Sequence, residues 1–318
     1  MGDRADTTTS KSNKPFAVDT FPTLFRKTQG SAYQKDNPNT VENRLMDCLH
    51  ALNLIPGVDQ PFSRVSRTDK GVSARMNALT IRLKIRHPHM ALQDIERIYV
   101  KEMNKRLKNI HVIDIRNVPN FFDARLHCIH RTYLYFFMDK NYNFERMREA
   151  CKLFLGEHDF ANFCKKRKNS TCFRRTILKF ELRSMDKNFH YFKIKGTSFL
   201  YNQIRHMVAT LFQVATGNLE LEDLASMLNN HPSRDKNFKI ANEDGLLLYS
   251  FKFSDLNFHI NVDNRVFSHL MEKYIQSAVL LVSLCYPGKV KRQNCGLFED
   301  IMPDGDGQGE GDEENCPP

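Results

Sequence analysis

The chain has 318 residues, 41% of them hydrophobic, enough for one large domain or two smaller ones with proper cores. Its net charge of +10 hides an asymmetry: residues 299–318 hold eight acids and no Lys or Arg, which leaves 47 basic against 29 acidic residues elsewhere. A body that basic favours a polyanionic partner, nucleic acid before an anionic membrane surface, and no apolar run is long enough to span a bilayer.

In chain order, residues 1–20 are polar and rich in Lys, Ser and Thr, and read as a disordered segment without a signal-peptide core. Residues 21–125 follow as a first unit whose opening strand is degenerate or missing; Leu24 to Gln34 is the only trace of one. Thr40 is a predicted N-cap for a helix that puts Val41, Leu45, Cys48, Leu49 and Leu52 on one face. A loop around Asp69 comes next, then a strand over 78–85, a helix carrying Ile95, Tyr99, Met103 and Leu107, and a strand over 110–116. The second unit, 126–254, reads as strand 131–137, helix 144–155, strands 175–183 and 189–195, helix 201–216 and strand 246–253. That is the β-α-β-β-α-β order of a ferredoxin-like split unit, and the first half repeats it without its first strand. Residues 255–298 read as a helical or irregular extension and 299–318 as an acidic disordered tail.

Eight cysteines show no CxxC pair or regular spacing, so they read as reduced thiols of a cytoplasmic or nuclear protein, and no metal site is expected. The run Arg64-Val65-Ser66-Arg67-Thr68-Asp69-Lys70-Gly71 sets one carboxylate beside a cation on a turn closing at Gly71. Two readings stand for Asp69: a turn former before glycine, or an acid–base or nucleophilic group on a strand-edge loop. Tyr133, Tyr135 and Phe137 share one strand face and suit a core as well as a pocket. Arg205 lies beside the apolar stripe of its helix, where a snorkelling cation is ordinary. Lys165, Lys166, Arg167 and Lys168 form a dense basic loop, either merely solvated or facing a polyanion.

The wording of these segments adds a resemblance. Residues 67–74, RTDKGVSA, resemble the catalytic motif of the TruA family of tRNA pseudouridine synthases, in its eukaryotic spelling. Phe122-Asp123-Ala124-Arg125 with Arg131-Thr132-Tyr133-Leu134-Tyr135 is similar to that family's FxAR…RxYxY segment. Residues 156–165, GEHDFANFCK, 196–207, GTSFLYNQIRHM, and 243–248, EDGLLL, resemble three further blocks in family order. Together they cover roughly residues 40–253.

The resemblance implies an α+β fold of two ferredoxin-like (RRM-like) subdomains fused into one antiparallel sheet, with helices on one face and a basic cleft. It implies tRNA as partner, uridine isomerisation without cofactor or metal, and, from the branch most resembled, the anticodon stem-loop at positions 38 and 39. A family type with broader RNA targets and an impaired RNA-binding homologue are the alternatives. It implies Asp69 as the catalytic carboxylate, Tyr133 against the target base and Arg205 as a buried ion-pair partner of Asp69. Arg67 would enter the RNA stem as the base leaves it, and Arg125, Arg131 and the 165–168 loop would meet phosphates. Monomer and homodimer both remain open.

Overall fold

The computed structural model of the chain describes residues 13–22, 30–35, 37–107, 110–165, 172–229 and 239–254. The expected 255–298 extension, the acidic tail and Lys166, Arg167 and Lys168 lie outside these residues, as does the segment from Thr23 to Gln29.

The first half runs β1 (Asn13–Pro22), α1 (Val41–Ala51), β2 (Phe62–Arg64), β3 (Ser73–Ala74), β4 (Asn77–Lys84), α2 (Leu92–Arg106) and β5 (Ile110–Asn117). The second runs β6 (Cys128–Met138), α3 (Phe144–Leu153), β7 (Gly156–Asp159), β8 (Arg174–Ser184), β9 (Phe189–Gly196), α4 (Gln203–Ala215), α5 (Leu221–Leu228) and β10 (Leu246–Phe253).

The opening strand corrects the sequence reading. It is present, at Asn13–Pro22, partly inside the stretch read as disordered, and it lies centrally, antiparallel to β4 on one side and β5 on the other. Phe16 is fully buried, pairs with Ile81 and packs at 6.3 Å from the Tyr99 ring of α2.

The hydrogen bonding also divides what was expected as one antiparallel sheet into two. A four-stranded sheet has the order β2-β4-β1-β5, and a six-stranded sheet the order β3-β10-β6-β9-β8-β7. All pairings are antiparallel except β3 with β10, where Ser73 and Ala74 lie beside Leu247 and Leu248 in parallel. The short strand β3 therefore belongs to the first half in sequence and to the second sheet in space. The loop that carries Asp69 leaves β2 at the edge of one sheet and enters β3 at the edge of the other.

The helices form where the sequence places their caps and faces. Thr40 accepts a hydrogen bond from the Asn43 N–H at 3.2 Å, and α1 buries Leu45, Met46, Cys48 and Leu49. Asn143 does the same for α3 through Arg146 N–H at 3.1 Å. α5, not expected from the sequence, starts on a capping box of Glu220 and Asp223.

Tyr135 and Phe137 of β6, Phe192 of β9 and Phe212 of α4 make the aromatic centre of the second half, with Phe137 and Phe192 stacked at 4.9 Å. Burial pushes the Cys48 thiol up to about 11 and the Cys151 thiol up to about 12, which suits inert core residues. Among the described residues no helix is long and apolar enough to cross a membrane.

Phe192 is fully buried and touches the rings of Phe137, Phe180 and Phe212. Phe192→Ala is expected to lower unfolding free energy by about 3–5 kcal/mol, measured by urea denaturation, because the rigid aromatic neighbours cannot close the void.

Candidate active site

Asp69 sits on a loop whose flanks are tied on every side. Val65 N–H donates to Ala78 O at 2.9 Å, and Ser66 exchanges hydrogen bonds with the Asn77 side chain at 3.3 and 2.9 Å. Thr68 N–H donates to Ser31 Oγ at 2.8 Å while Ser31 N–H donates to Thr68 O at 3.1 Å. Val72 N–H closes the turn on Asp69 O at 3.1 Å, and Arg75 N–H reaches Leu248 O at 2.7 Å. Gly30 has φ +99°, and a Cβ there would stand 3.3 Å from both Thr68 O and Lys70 N, so the 30–31 segment clasps the loop from behind.

Tyr133 comes to this loop from β6. Its hydroxyl lies 2.7 Å from Ser66 Oγ, and its ring meets Phe199 edge-on at 5.2 Å. The side chain is only 6% exposed. Burial pushes the phenol up first, and the negative charge of Asp69 pushes the same way, against Ser66 and Arg131. Asp69 and Tyr133, brought together by the sequence reading, are thus in electrostatic reach of each other. Ser66 was missed; the only signal for it is a hydroxyl residue three places before the acid.

Arg131 corrects the sequence reading. It was expected at a phosphate, but it is 6% exposed and every hydrogen bond it makes goes to a carbonyl of the chain. Nε and Nη2 donate to Val65 O at 3.2 and 3.0 Å, Nη1 to Cys128 O at 3.2 Å and Thr197 O at 2.6 Å, and Nη2 to Arg125 O at 2.9 Å. One guanidinium thereby joins the root of the Asp69 loop, the start of β6 and the end of β9.

Arg205, 11% exposed, donates through Nε to Ala241 O at 2.7 Å and through Nη2 to Glu243 Oε2 at 2.7 Å. The sequence reading did not foresee the Glu243 carboxylate as a partner of this guanidinium. Glu243 connects Arg205 to the Asp69 loop, because its side chain packs on Gly71: a Cβ added there would lie 2.5 Å from Glu243 Cγ.

Of the other expected residues, Arg67 and Arg125 are exposed, and Lys165 holds its Nζ 5.9 Å from the Tyr201 ring centre. Arg64, not foreseen, pairs with Glu42 at 3.0 Å and lies over the Phe62 ring at 4.5 Å. Burial pushes the Arg64 guanidinium down, and the positive charges of Arg67 and Arg125 add to that. These three arginines therefore share one electropositive rim around the loop, with buried Glu42 as the counter-charge beneath Arg64. Burial pushes the Glu42 carboxyl up, against Arg64, the Tyr33 N–H and Arg67.

The arrangement sets one carboxylate on a tied turn, in electrostatic reach of a buried tyrosine, with the Arg205–Glu243 pair packed on Gly71 of the same turn. Comparisons with known proteins give the family. Residues 150–254 match the family model described as tRNA pseudouridine synthase. A tRNA pseudouridine(38/39) synthase of Saccharomyces cerevisiae is 33% identical over 92% of this chain and 69% of its own length. The human protein of that name is 29% identical over 79% of this chain and 58% of its own length. The tRNA pseudouridine synthase A of Pyrococcus furiosus is 28% identical over 85% of this chain and 91% of its own length. The chain belongs to the tRNA pseudouridine synthase family of the TruA type. It spans less than two thirds of the human relative's length.

Two outcomes follow. Arg131→Lys leaves carbonyls of the seam without donors, at about 1–3 kcal/mol for each buried group; the melting temperature should fall and amide exchange at Val65 and Ser66 should accelerate. Gly71→Ala forces a side chain to φ +83° and against Glu243, at about 1–2 kcal/mol for the backbone alone. The Arg205 Nε–H signal in nitrogen-resolved NMR should lose protection in that variant.

Proposed function

We propose that this chain isomerises uridine to pseudouridine in tRNA, at positions 38 and 39 of the anticodon stem-loop, with Asp69 as the reacting carboxylate. The observation that carries the reading is the fixed loop itself: an acid on a turn held between two sheets, beside a buried tyrosine. The names of the yeast and human relatives supply the positions.

The reaction breaks the N1–C1′ bond, turns the uracil and joins C5 to C1′; the C5 proton leaves and N1, freed from the sugar, gains a proton. Substrate and product are isomers, so electrons balance without a redox partner. A carboxylate serves as a nucleophile toward the sugar or base, or as the base that removes a ribose proton. Extruding the uridine exposes its faces to an aromatic side chain, and Tyr133 takes that role. Arg205 supplies positive charge behind the loop, which favours the ionised form of Asp69. Arg67 occupies the space the base vacates, and Arg125 and Lys165 meet phosphates.

The fold reading belongs to the same proposal. We read the two halves as ferredoxin-like units, joined where β3 adds to β10. Leaving out β3 and β7, the strands of each half stand in the spatial order second, third, first, fourth, which is what a split β-α-β unit requires.

The test incubates the protein with unmodified tRNA and maps pseudouridine by chemical tagging, with Asp69→Asn alongside. Conversion at 38 and 39 that falls about 10²–10⁴-fold or more in the variant, with tRNA affinity kept, is the expected result. Conversion that survives Asp69→Asn, or tRNA binding by the wild-type chain without conversion, overturns the reading. Conversion elsewhere in tRNA would move the target and leave the chemistry.

A further inference from the structure

Of the large apolar side chains that stand exposed among the described residues, the two most exposed, Phe121 at 76% and Leu126 at 79%, lie on one turn. That turn is not loose. Phe122 N–H donates to Pro119 O at 3.0 Å, and the Asp123 carboxylate accepts from Arg125 N–H at 2.8 Å and Leu126 N–H at 3.0 Å. Ala124 is fully buried, and its N–H donates to Ser63 Oγ at 2.8 Å on β2, one residue before Arg64. The His127 ring stands between Phe121, at 6.0 Å, and Phe122, stacked at 5.0 Å, and Phe122 meets Phe253 at 5.1 Å. A column of rings thus supports an aromatic side chain that itself faces water.

Holding an apolar ring rigid and exposed has no folding benefit, whereas a ring fixed in advance loses little entropy when something stacks on it. The charge around the turn identifies the occupant. Arg125 belongs to the same turn and is exposed, Arg64 stands within electrostatic reach of it across the Ser63 link, and Arg67 stands within reach of Arg64. An apolar protein surface would have to desolvate those cations, while phosphates flanking an unstacked base satisfy ring and cations together.

We propose that the Phe121 turn is an RNA-docking surface, on which Phe121 stacks against an unpaired base while Arg125 meets the adjoining phosphate. The surface rests on the RNA-directed reading above and adds to it a contact outside the reacting centre. Leu126 borders the stacked base and shields it from water.

Stacking and phosphate contact leave different signatures. Full-length protein is titrated with unmodified tRNA over a series of salt concentrations, using wild type, Phe121→Ala, Phe121→Trp and Arg125→Gln. Phe121→Ala is expected to weaken binding roughly 5- to 100-fold at every salt with an unchanged log–log slope, and Phe121→Trp to restore it. Arg125→Gln is expected to flatten the slope by about 1. The melting temperature should not move in Phe121→Ala; should that variant fold poorly, Phe121→Ser takes its place. Wild-type affinity in both small-side-chain variants overturns the proposal. So does a change in sedimentation with RNA affinity unaltered, since the turn would then join two copies of the chain. The pseudouridine map is scored separately: a Phe121 binding defect in a chain that never converts uridine sinks the catalytic reading and leaves this surface standing.

Discussion

The constraint on which the rest of the structure depends is the satisfaction of polar backbone where two sheets meet. Residues 62–74 pass from the edge of one sheet to the edge of the other, and a crossing segment has no ladder of its own. Its polar groups must find other partners or lose hydration without compensation. Five sources supply them: β4 at Ala78, the Ser31 segment, the Asn77 side chain, β10 at Leu247 and Leu248, and the Arg131 guanidinium. Each fixes a different group of the loop, so Asp69 is carried on backbone set by both halves. A carboxylate carried this way is fixed before any ligand arrives, the property that a positioned reacting group requires.

Arg131 also shows why charge in this protein has two separate uses. At the seam it replaces water as donor to four carbonyl oxygens, and its five N–H groups fit that task where a lysine's three would not. On the rim, Arg67 and Arg125 each repel half-buried Arg64, which is tolerated because it pairs with Glu42, and both of the others are exposed to water. Repulsion on Arg64 is the kind of charge crowding that a polyanion would relieve.

Local pattern made most elements legible. Alternation in 78–85, the Thr40 cap, and the apolar stripes of α1, α2, α3 and α4 all carry their geometry within a few residues. β1 was not legible for the same reason in reverse. Pro15, Asp19, Thr20 and Pro22 interrupt the alternation, and prolines argue against a central strand, yet β4 and β5 supply partners from 57 (Thr20 with Asn77) to 101 (Phe16 with Asn117) residues away. The site divides likewise. Asp69, Tyr133 and Arg205 are candidates by motif alone, whereas the contacts of Arg131 and Glu243 depend on which carbonyl and which guanidinium the fold delivers to them. An arginine bound for a phosphate and one bound for a carbonyl look alike in one dimension.

Glu243 shows how such a long-range arrangement constrains what lies between. The turn that bears it is itself anchored, since Tyr135 OH donates to Asn242 O at 3.0 Å and Gly245 packs so closely on Phe136 O that no side chain fits. Its carboxylate holds Arg205, and its methylenes fill the space left by the missing side chain of Gly71. Gly71 is therefore needed twice, for a left-handed backbone that turns the chain into β3 and for the room that lets Glu243 approach. A single glycine two residues from the acid ties the conformation of the loop to the position of the positive charge behind it, so neither can shift without the other.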